Sequence, residues 1–438
     1  RWVHDLAYFN NLSLADQENT FGRTKSDSTR LDVQVPTSHL AHVELRDGET
    51  GDADKQKRGE MVRRSTPYAF HDGTVGLYFM GFCKEQAPLR ERMEAGLRAL
   101  GPDLQPLMRY QEFGGSMEDR EAAVAWLERR PLTVSEDRGL VCPGVQSALL
   151  AVLGNLARPG DVVLCEALTY PGLRAIAGQL GLRLVGVPLD DDGIDPDALA
   201  KLCAEHHPKV LYCNPVLLNP AAVTLSDERR HRVVQIARRH NLPIIEDDAY
   251  GLLPSHRPPA LAALAPELTY YLCGFSKSLG AGLRIAYLAL PSARLRSRLA
   301  VTLRATTVMA SPITAALASC WVQDGTADLA LTLTRRESQA RQELVAEILA
   351  GADYRSHPEA FHVWLRMPPA WSRVAFAARL RAQGINVVVS DAFAVNGKPP
   401  EAVRLCLGGP ASRQDLGQAL HVIADALQQP GAASAGFF

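Results

Sequence analysis

The chain has 438 residues, of which 47% are hydrophobic and 22% are charged, and its formal net charge is −1. This length allows two or three domains with a large core, and the near-neutral charge argues against a general nucleic-acid or membrane-surface binder. No apolar run reaches the roughly 20 residues that span a bilayer. The first residue is Arg1 rather than Met, so we expect the natural N-terminus to lie upstream.

The composition changes near residue 88. Residues 1–88 are polar and interrupted, and the stretch ELRDGETGDADKQKRGE predicts an exposed loop. From about residue 89 onward, helical and strand patterns alternate. In SMEDREAAVAWLERR, Ser116 and Asp119 form a capping pair that predicts the start of a helix, and DERRHRVVQIARRH predicts a second amphipathic helix. The end of the chain is low in complexity, so residues 431–438 are predicted to be disordered.

Short apolar runs separate the helical stretches, and we predict them to be strands: DVVLCE, LRLVGV, KVLYCN, PIIEDD, TYYLCGF and LRIAYLAL. Strands that are apolar throughout and alternate with helices indicate an α/β fold with a mostly parallel sheet covered on both faces. Ligands of such sheets bind at the carboxyl ends of the strands.

Two of the predicted strand ends lead into turns with functional potential. Pro143 and Gly144 precede an apolar helix, whose first N–H groups, from Gly144, Val145 and Gln146, suit a phosphate. Taken alone, an ordinary strand-to-helix turn explains this stretch better. In LCEALTYPG, Tyr170 is able to stack on a flat ring, although an aromatic residue before proline usually serves packing.

Two further strand ends carry polar groups. YCNPVLLNP places Asn219 between apolar residues and Pro220, and PIIEDDAY ends a strand with three carboxylates followed by Tyr250. A solvated acidic turn accounts for two of the three carboxylates. It does not explain why all three follow a buried strand.

The stretch GFSKSLGAGLR joins two apolar runs. The first run ends in Ser276 and Lys277, and the second begins behind Arg284. Lysine is rarely buried, and an unpaired ammonium in an apolar site is costly. This favours a functional role for Lys277 and Arg284, with a solvated turn carrying two surface cations as the alternative.

Together these groups suit one cofactor, pyridoxal 5′-phosphate. Lys277 supplies the amine that forms a Schiff base with an aldehyde, and Asp247 supplies the carboxylate that keeps a pyridine nitrogen protonated. Asn219 and Tyr250 are donors for a ring oxygen. Arg284 and a helix N-terminus suit a phosphate.

The ordered motifs resemble fold type I pyridoxal-phosphate enzymes, the aspartate aminotransferase superfamily, over about residues 89–430. They are GVQSAL, TYPG, NPxxxNP, DDAY, GFSKSLGAGLR and AVRLCLGG. The seven-residue interval from Lys277 to Arg284 and the stretch YQEFGGSMEDREAAVAWL resemble the aminotransferase-like domain of MocR-type regulators. The resemblance implies a large pyridoxal-phosphate-binding domain at about 135–310 and a smaller C-terminal α/β domain at about 311–430.

The resemblance also implies roles for single residues. Lys277 would hold the cofactor, Asp247 would pair with the pyridinium, Tyr170 would stack on the ring, and Asn219 and Tyr250 would hold its hydroxyl. The substrate's α-carboxylate would be bound by Arg404, and Asn219 would also contact the substrate. In the homodimer implied by the family, Tyr110 would reach the phosphate in the partner subunit.

Two positions depart from the family pattern. Three residues before the lysine the family usually has Ser or Thr, and here it is Gly274; after Asn219 and Pro220 the usual Thr-Gly is Ala221-Ala222. The first departure removes a phosphate donor, for which Ser276 is the candidate replacement. Neither departure touches the groups that carry the chemistry.

MocR-type regulators carry a winged-helix domain before this one, but nothing in this chain resembles a DNA-binding domain. Residues 1–88 instead resemble an incomplete C-terminal half of a dye-decolorising peroxidase, an α+β ferredoxin-like fold, in LADQENTFGRTKSDSTRLD, PTSHLAHVEL, MVRRSTPYAF and GLYFMGFCKE. The resemblance implies His39 as a proximal haem ligand and Arg63 on the distal face. Without the flanking matches, a loop histidine and a solvated basic pair would be the better interpretation. Since the half that carries the family's GxxDG motif is absent, we expect weak or no haem binding and no peroxidase turnover.

Three functions follow as hypotheses. The first is amino transfer between an amino acid and a 2-oxo acid, with Lys277 as the base. The second is a pyridoxal-phosphate-binding sensor, and the third is a haem protein. No second arginine stands out for a dicarboxylate side chain, so the amino acid stays open.

The eight cysteines form no Cys-x-x-Cys pair, which argues against a metal site or a disulfide framework. They are scattered, mostly inside apolar runs. We therefore predict buried thiols in a reducing cytoplasm.

Overall fold

The computed structural model describes residues 68–69, 75–76, 87–101, 105–409 and 412–429. The chain divides into two units, residues 1–78 and 79–438. In the first unit the structure describes one antiparallel pair, β1 (Tyr68–Ala69) and β2 (Val75–Gly76). The candidate haem residues His39 and Arg63 and the predicted disordered tail lie outside the described residues.

The second unit contains a central sheet of seven strands within the described residues. Its first three strands in chain order are β3 (Gly139–Cys142), β4 (Val162–Glu166) and β5 (Arg183–Val187). A separate two-stranded ribbon, β6 (Leu189–Asp190) and β7 (Gly193–Ile194), follows in the chain. The other four strands of the central sheet are β8 (Val210–Cys213), β9 (Ile244–Asp247), β10 (Thr269–Gly274) and β11 (Ala286–Ala289). The sheet order is β3-β11-β10-β9-β8-β4-β5. Neighbouring strands are parallel except at β11, which runs antiparallel to both β10 and β3. The predicted mostly parallel sheet is confirmed.

Helices cover both faces of this sheet. They are α1 (Ala87–Ala99), α2 (Met117–Leu127), α3 (Val145–Leu156), α4 (Pro171–Gln179), α5 (Pro196–His206), α6 (Asp227–Arg239), α7 (Leu261–Leu264), α8 (Arg294–Thr307), α9 (Pro312–Gln323) and α10 (Thr326–Ile348). Short 3₁₀ turns lie at Pro106–Met108, Glu136–Arg138, Ala281–Leu283 and Ser390–Ala392. Successive strand residues point to opposite faces of the sheet. On one face they pack with α3, α4 and α8. On the other face they pack with α2 and α9 in one part of the sheet and with α5 and α6 in another. This alternation explains why the strands read as apolar throughout.

The predicted capping pair of α2 is present. The Ser116 side chain accepts a hydrogen bond from the Asp119 N–H, and the Asp119 carboxylate accepts one from the Ser116 N–H. The second predicted amphipathic helix is α6, which buries Val233, Val234 and Ala237 on one side.

A second sheet of four strands lies within residues 354–406. Its strands are β12 (Tyr354–Arg355), β13 (His362–Arg366), β14 (Val388–Val389) and β15 (Ala402–Cys406), all paired antiparallel in the order β12-β13-β15-β14. One face of this sheet packs with α10, α11 (Arg373–Ala382) and α12 (Arg413–Gln428). His362 pairs with Cys406, and Trp364 pairs with Arg404, so these four residues share the opposite face.

No helix in the described residues is both long enough and apolar enough to cross a membrane. The described cysteines are free thiols, of which Cys320 and Cys406 are partly exposed and the others are buried, namely Cys142, Cys165, Cys203, Cys213 and Cys273.

Candidate active site

Lys277 lies in the turn between β10 and β11. The carbonyl oxygen of Phe275 accepts hydrogen bonds from three N–H groups of this turn, and the Phe275 ring packs 5.0 Å from Trp126 and 5.2 Å from Tyr287, which anchors the turn to the core. The Lys277 side chain is half-buried, with Nζ 5.8 Å from the centre of the Tyr250 ring.

The surroundings of Lys277 favour its neutral form. Burial lowers the pKa of the ammonium to about 8, and the cations Arg404 and Arg284 act in the same direction, while Cys406 and Asp247 oppose it. The predicted residues Asp247, Arg284 and Arg404 therefore lie within electrostatic reach of Lys277.

Asp247 ends β9 with a buried carboxylate. Its Oδ2 accepts a hydrogen bond of 2.6 Å from the hydroxyl of Tyr212, while Oδ1 has no hydrogen-bond partner among the described residues. Burial raises the pKa of Asp247 to about 6, and the Tyr212 hydrogen bond acts in the opposite direction. The site thus holds one carboxylate oxygen that is buried and open to a donor.

The other two carboxylates of this strand end are structural. Glu246 accepts hydrogen bonds from two N–H groups at the start of α7, and Asp248 Oδ2 accepts bonds from Arg130 at 2.7 Å and from Tyr271 at 2.6 Å. None of Glu246, Asp247 and Asp248 is more than 4% exposed. The alternative of a solvated acidic turn is therefore wrong, because helices distant in the sequence cover this strand end.

Arg404 lies on β15 and reaches Asn219. Its Nη1 donates a hydrogen bond of 2.7 Å to Asn219 Oδ1, and its guanidinium carbon lies 5.0 Å from the centre of the Phe393 ring. Arg404 Nε has no partner among the described residues. Since Asn219 uses Oδ1 for this contact, its Nδ2 group is left to donate elsewhere.

Arg284 lies against the start of α3. Gly144 precedes this helix with a φ of +87°, and a Cβ atom there would lie 2.8 Å from Arg284 Nη2. Only glycine combines this backbone conformation with so close an approach. The predicted helix N-terminus, with Val145 half-buried and Gln146 exposed, and the predicted arginine are therefore adjacent.

The Gly274 departure has a packing cause. A Cβ atom at Gly274 would lie 2.6 Å from Val145 Cγ2, so the valine side chain occupies the space that Ser or Thr would need. Ser276 is half-buried, and its side chain forms no hydrogen bond within the described part of the chain. The role of Ser276 as the replacement donor for the phosphate stays a prediction.

The two predicted aromatic residues Tyr170 and Tyr110 differ in their surroundings. Tyr170 caps α4 and is half-buried, and its ring lies so close over Gly172 that a Cβ atom there would clash with it. Tyr110 is 80% exposed, and no hydrogen bond or ring contact joins it to the other site residues in the described chain.

The sequence interpretation missed Tyr212, Asn214 and His362. Tyr212 lies in β8, and Asn214 directly follows this strand as the first residue of the NPxxxNP motif. The motif was therefore an available signal for Asn214. His362 carried no signal. It lies 5.6 Å from the Tyr250 ring, and burial, aided by Arg404, lowers its pKa to about 3, so the imidazole is neutral.

The chain resembles known proteins in both sequence and fold. It is 30% identical to the HTH-type transcriptional regulator YdeF of Bacillus subtilis, over 73% of this chain and 70% of that protein. It is 27% identical to the 2-aminoadipate transaminase of Thermus thermophilus, over 73% of this chain and 82% of that protein. The structure of α-aminoadipate aminotransferase LysN from Thermus thermophilus, complexed with N-(5′-phosphopyridoxyl)-L-leucine, covers 86% of this chain and 98% of its own, with 24% identity and a TM-score of 0.73.

The fold is that of the fold type I pyridoxal-phosphate enzymes, which confirms the predicted fold class. Residues 81–423 match class I and II aminotransferases, and the chain belongs to this family. Its cofactor is pyridoxal 5′-phosphate, and its reaction class is transamination, both as predicted. Residues 1–116 match the C-terminal domain of Dyp-type peroxidases, in agreement with the second resemblance.

Proposed function

We propose that residues at the sheet edge where the parallel strands end hold pyridoxal phosphate by its aldehyde and by its phosphate. Lys277 Nζ would bind the aldehyde carbon covalently, with the aldehyde oxygen leaving as water. Arg284 and the first N–H groups of α3, from Gly144, Val145 and Gln146, would bind the phosphate. The close approach of Arg284 to Gly144 supports this, because it joins a guanidinium to a helix N-terminus.

The ring is held from β9 and the neighbouring loops. Asp247 Oδ1 would accept a hydrogen bond from the ring nitrogen, Asn219 Nδ2 and the Tyr250 hydroxyl would hold the ring hydroxyl, and Tyr170 would cover one ring face. The observation that carries the proposal is the open, buried Oδ1 of Asp247 within electrostatic reach of the Lys277 amine. A buried oxygen without a donor is costly unless a ligand supplies one.

In the reaction, Lys277 would transfer a proton and Arg404 would bind the substrate's carboxylate. Bound pyridoxal phosphate supplies an aldehyde and an electron-withdrawing ring. Lys277 Nζ, with a pKa of about 8, would take the proton from the substrate's Cα and deliver it to the carbon that was the cofactor's aldehyde carbon. Arg404, held by Asn219, binds the α-carboxylate of the amino acid or 2-oxo acid through its unpartnered Nε and its remaining nitrogen.

The test is a half-reaction with each of the twenty amino acids. The purified protein is loaded with pyridoxal phosphate, and conversion to pyridoxamine phosphate is followed by absorbance and chromatography. We expect conversion with at least one amino acid and none in Lys277→Ala. Borohydride treatment is expected to fix the cofactor on Lys277, and a label on another lysine would refute the site.

A second candidate is a sensor that binds the cofactor or an amino acid without turnover. The 30% identity to a protein named as a transcriptional regulator favours it. The same screen separates the two functions. Cofactor binding with no pyridoxamine phosphate after hours would support the sensor.

We also propose a homodimer in the cytoplasm. The segment around Phe113 packs on α8, where Arg304 lies 4.6 Å from the Phe113 ring. This region carries the exposed apolar side chains Met108, Tyr110, Met117, Val301 and Val308. A second copy would cover them and bring Tyr110 toward the partner's phosphate. The free thiols fit a reducing compartment.

A further inference from the structure

Two buried polar side chains at and just after the end of β8 contact Asp247. Tyr212 lies in the strand, and Asn214 is the first residue after it. The Tyr212 hydroxyl donates to Asp247 Oδ2 at 2.6 Å, and Asn214 Nδ2 donates to the Asp247 carbonyl oxygen at 2.5 Å. Asn214 is itself fixed, since its N–H donates to Glu166 Oε1 at 2.5 Å and its Oδ1 accepts the N–H of Asn219.

We propose that Tyr212 is a positioning residue, which holds Asp247 Oδ2 so that Oδ1 stays ionised and directed at the ring nitrogen of the cofactor. Asn214 fixes the backbone of Asp247 in the same arrangement. This inference rests on the proposed function, which assigns Asp247 to the ring nitrogen.

The electrostatics of the site explain why Asp247 needs the hydrogen bond from the Tyr212 hydroxyl. A buried carboxylate tends to take up a proton, and Asp248 next to it adds to that tendency. A protonated Asp247 would lose the charge that stabilises a protonated ring nitrogen. Burial and the Asp247 charge raise the pKa of Tyr212 well above its ordinary value, so the phenol keeps its proton and donates it to Oδ2.

Packing alone does not require this hydroxyl. The Tyr212 ring lies in an apolar core with residues of β3, α3 and α4, where phenylalanine would fill the same ring volume. Asp247 is the partner that the structure shows for the hydroxyl among the described residues. Tyr271 gives a matched case, because its hydroxyl also donates at 2.6 Å to a buried carboxylate, that of Asp248.

The test compares two ligands that differ at one atom. The full-length protein, stripped of cofactor, is titrated with pyridoxal phosphate and with its 1-deaza analogue, in which carbon replaces the ring nitrogen. In Tyr212→Phe we expect pyridoxal phosphate to bind about tenfold more weakly, while the affinity for the analogue is unchanged. Tyr271→Phe, the control, is expected to keep the wild-type ratio of the two affinities.

Equal weakening of both ligands, or of neither, in Tyr212→Phe would overturn the inference. Asp247→Asn separately tests the assignment of Asp247 to the ring nitrogen. A variant that keeps the wild-type ratio of the affinities for pyridoxal phosphate and its analogue would refute that assignment. If Tyr212→Phe does not fold, fluorotyrosine at position 212 keeps the hydroxyl and strengthens its donation. The preference for pyridoxal phosphate should then increase, and an unchanged preference would overturn the inference.

Discussion

The lowered pKa of Lys277 affects how fast its amine reacts with pyridoxal phosphate at a given pH. Only the neutral amine attacks an aldehyde, and burial places the pKa of Lys277 near 8 instead of its usual 10.5. Below pH 8 the neutral fraction rises about tenfold per pH unit, and above pH 8 it levels off.

We therefore expect the rate of pyridoxal phosphate capture by the stripped protein to increase up to about pH 8 and then reach a plateau, measured by stopped-flow absorbance. Asp247→Asn should move the plateau to lower pH, because Asp247 stabilises the ammonium. A rate that still climbs tenfold between pH 9 and pH 10 would show that Lys277 titrates like an exposed lysine.

Val145 restricts position 274 to glycine, since its side chain fills the space that a side chain at position 274 would need. In Gly274→Ser the new Cβ would meet Val145 Cγ2 at 2.6 Å, and a β-branched side chain has few rotamers with which to yield. We expect a destabilisation of about 1–3 kcal/mol from overpacking and weaker cofactor binding, measured by thermal unfolding and titration.

The double variant Gly274→Ser with Val145→Ala should regain the stability of Val145→Ala and add a donor for the phosphate. Its affinity for pyridoxal phosphate should then exceed that of Val145→Ala. A single Gly274→Ser variant as stable as the parent would show that Val145 moves aside freely.

At the scale of elements, the ion pair of Arg130 and Asp248 ties the chain after α2 to the end of β9. The N–O distance is 2.7 Å, and both side chains are at most 1% exposed. Removing the arginine leaves a buried carboxylate without its countercharge, although Tyr271 still donates to it.

Arg130→Met is therefore expected to destabilise the protein by about 3–5 kcal/mol, measured by urea unfolding. The control is Arg238→Met, which breaks an ion pair of 2.8 Å with Glu267 in which both side chains are about half exposed. That variant should lose far less stability, because water screens an exposed ion pair. Equal losses in the two variants would contradict the difference in burial as the cause.

At the scale of the whole molecule, the exposed apolar side chains near Phe113 lead to the proposal of a homodimer. We expect sedimentation to give a dimer at micromolar concentration and Val301→Glu to shift it toward monomer, because a charge would enter the covered surface. Val374→Glu, at another exposed valine on α11, is the control and should leave the mass unchanged. A wild-type monomer that binds pyridoxal phosphate at full occupancy would refute the proposal.

The haem hypothesis concerns the N-terminal part of the chain, residues 1–88. The match of residues 1–116 to the C-terminal peroxidase domain supports the resemblance, but His39 and Arg63 lie outside the described residues. Their role therefore stays a prediction.

The sequence by itself determined six of the seven strands of the central sheet, the α/β class, the capping pair of α2 and the main candidates for the site. These features are local. A strand buried on both faces must be apolar along its whole length, a helix start needs its cap within three residues, and Lys277 and Arg284 lie in one turn. The carboxyl ends of parallel strands meet at one sheet edge, so Asp247 and Lys277 were expected to be neighbours.

The tertiary structure alone decided which partners complete the site. Tyr212 meets Asp247 across 35 residues of chain, Arg130 meets Asp248 across 118, and Arg404 meets Asn219 across 185. Each contact depends on strand order and on the packing of elements that are far apart in the sequence. A polar residue in an apolar run shows that a partner is needed, but its identity follows only from the three-dimensional arrangement, because burial removes water as the alternative partner.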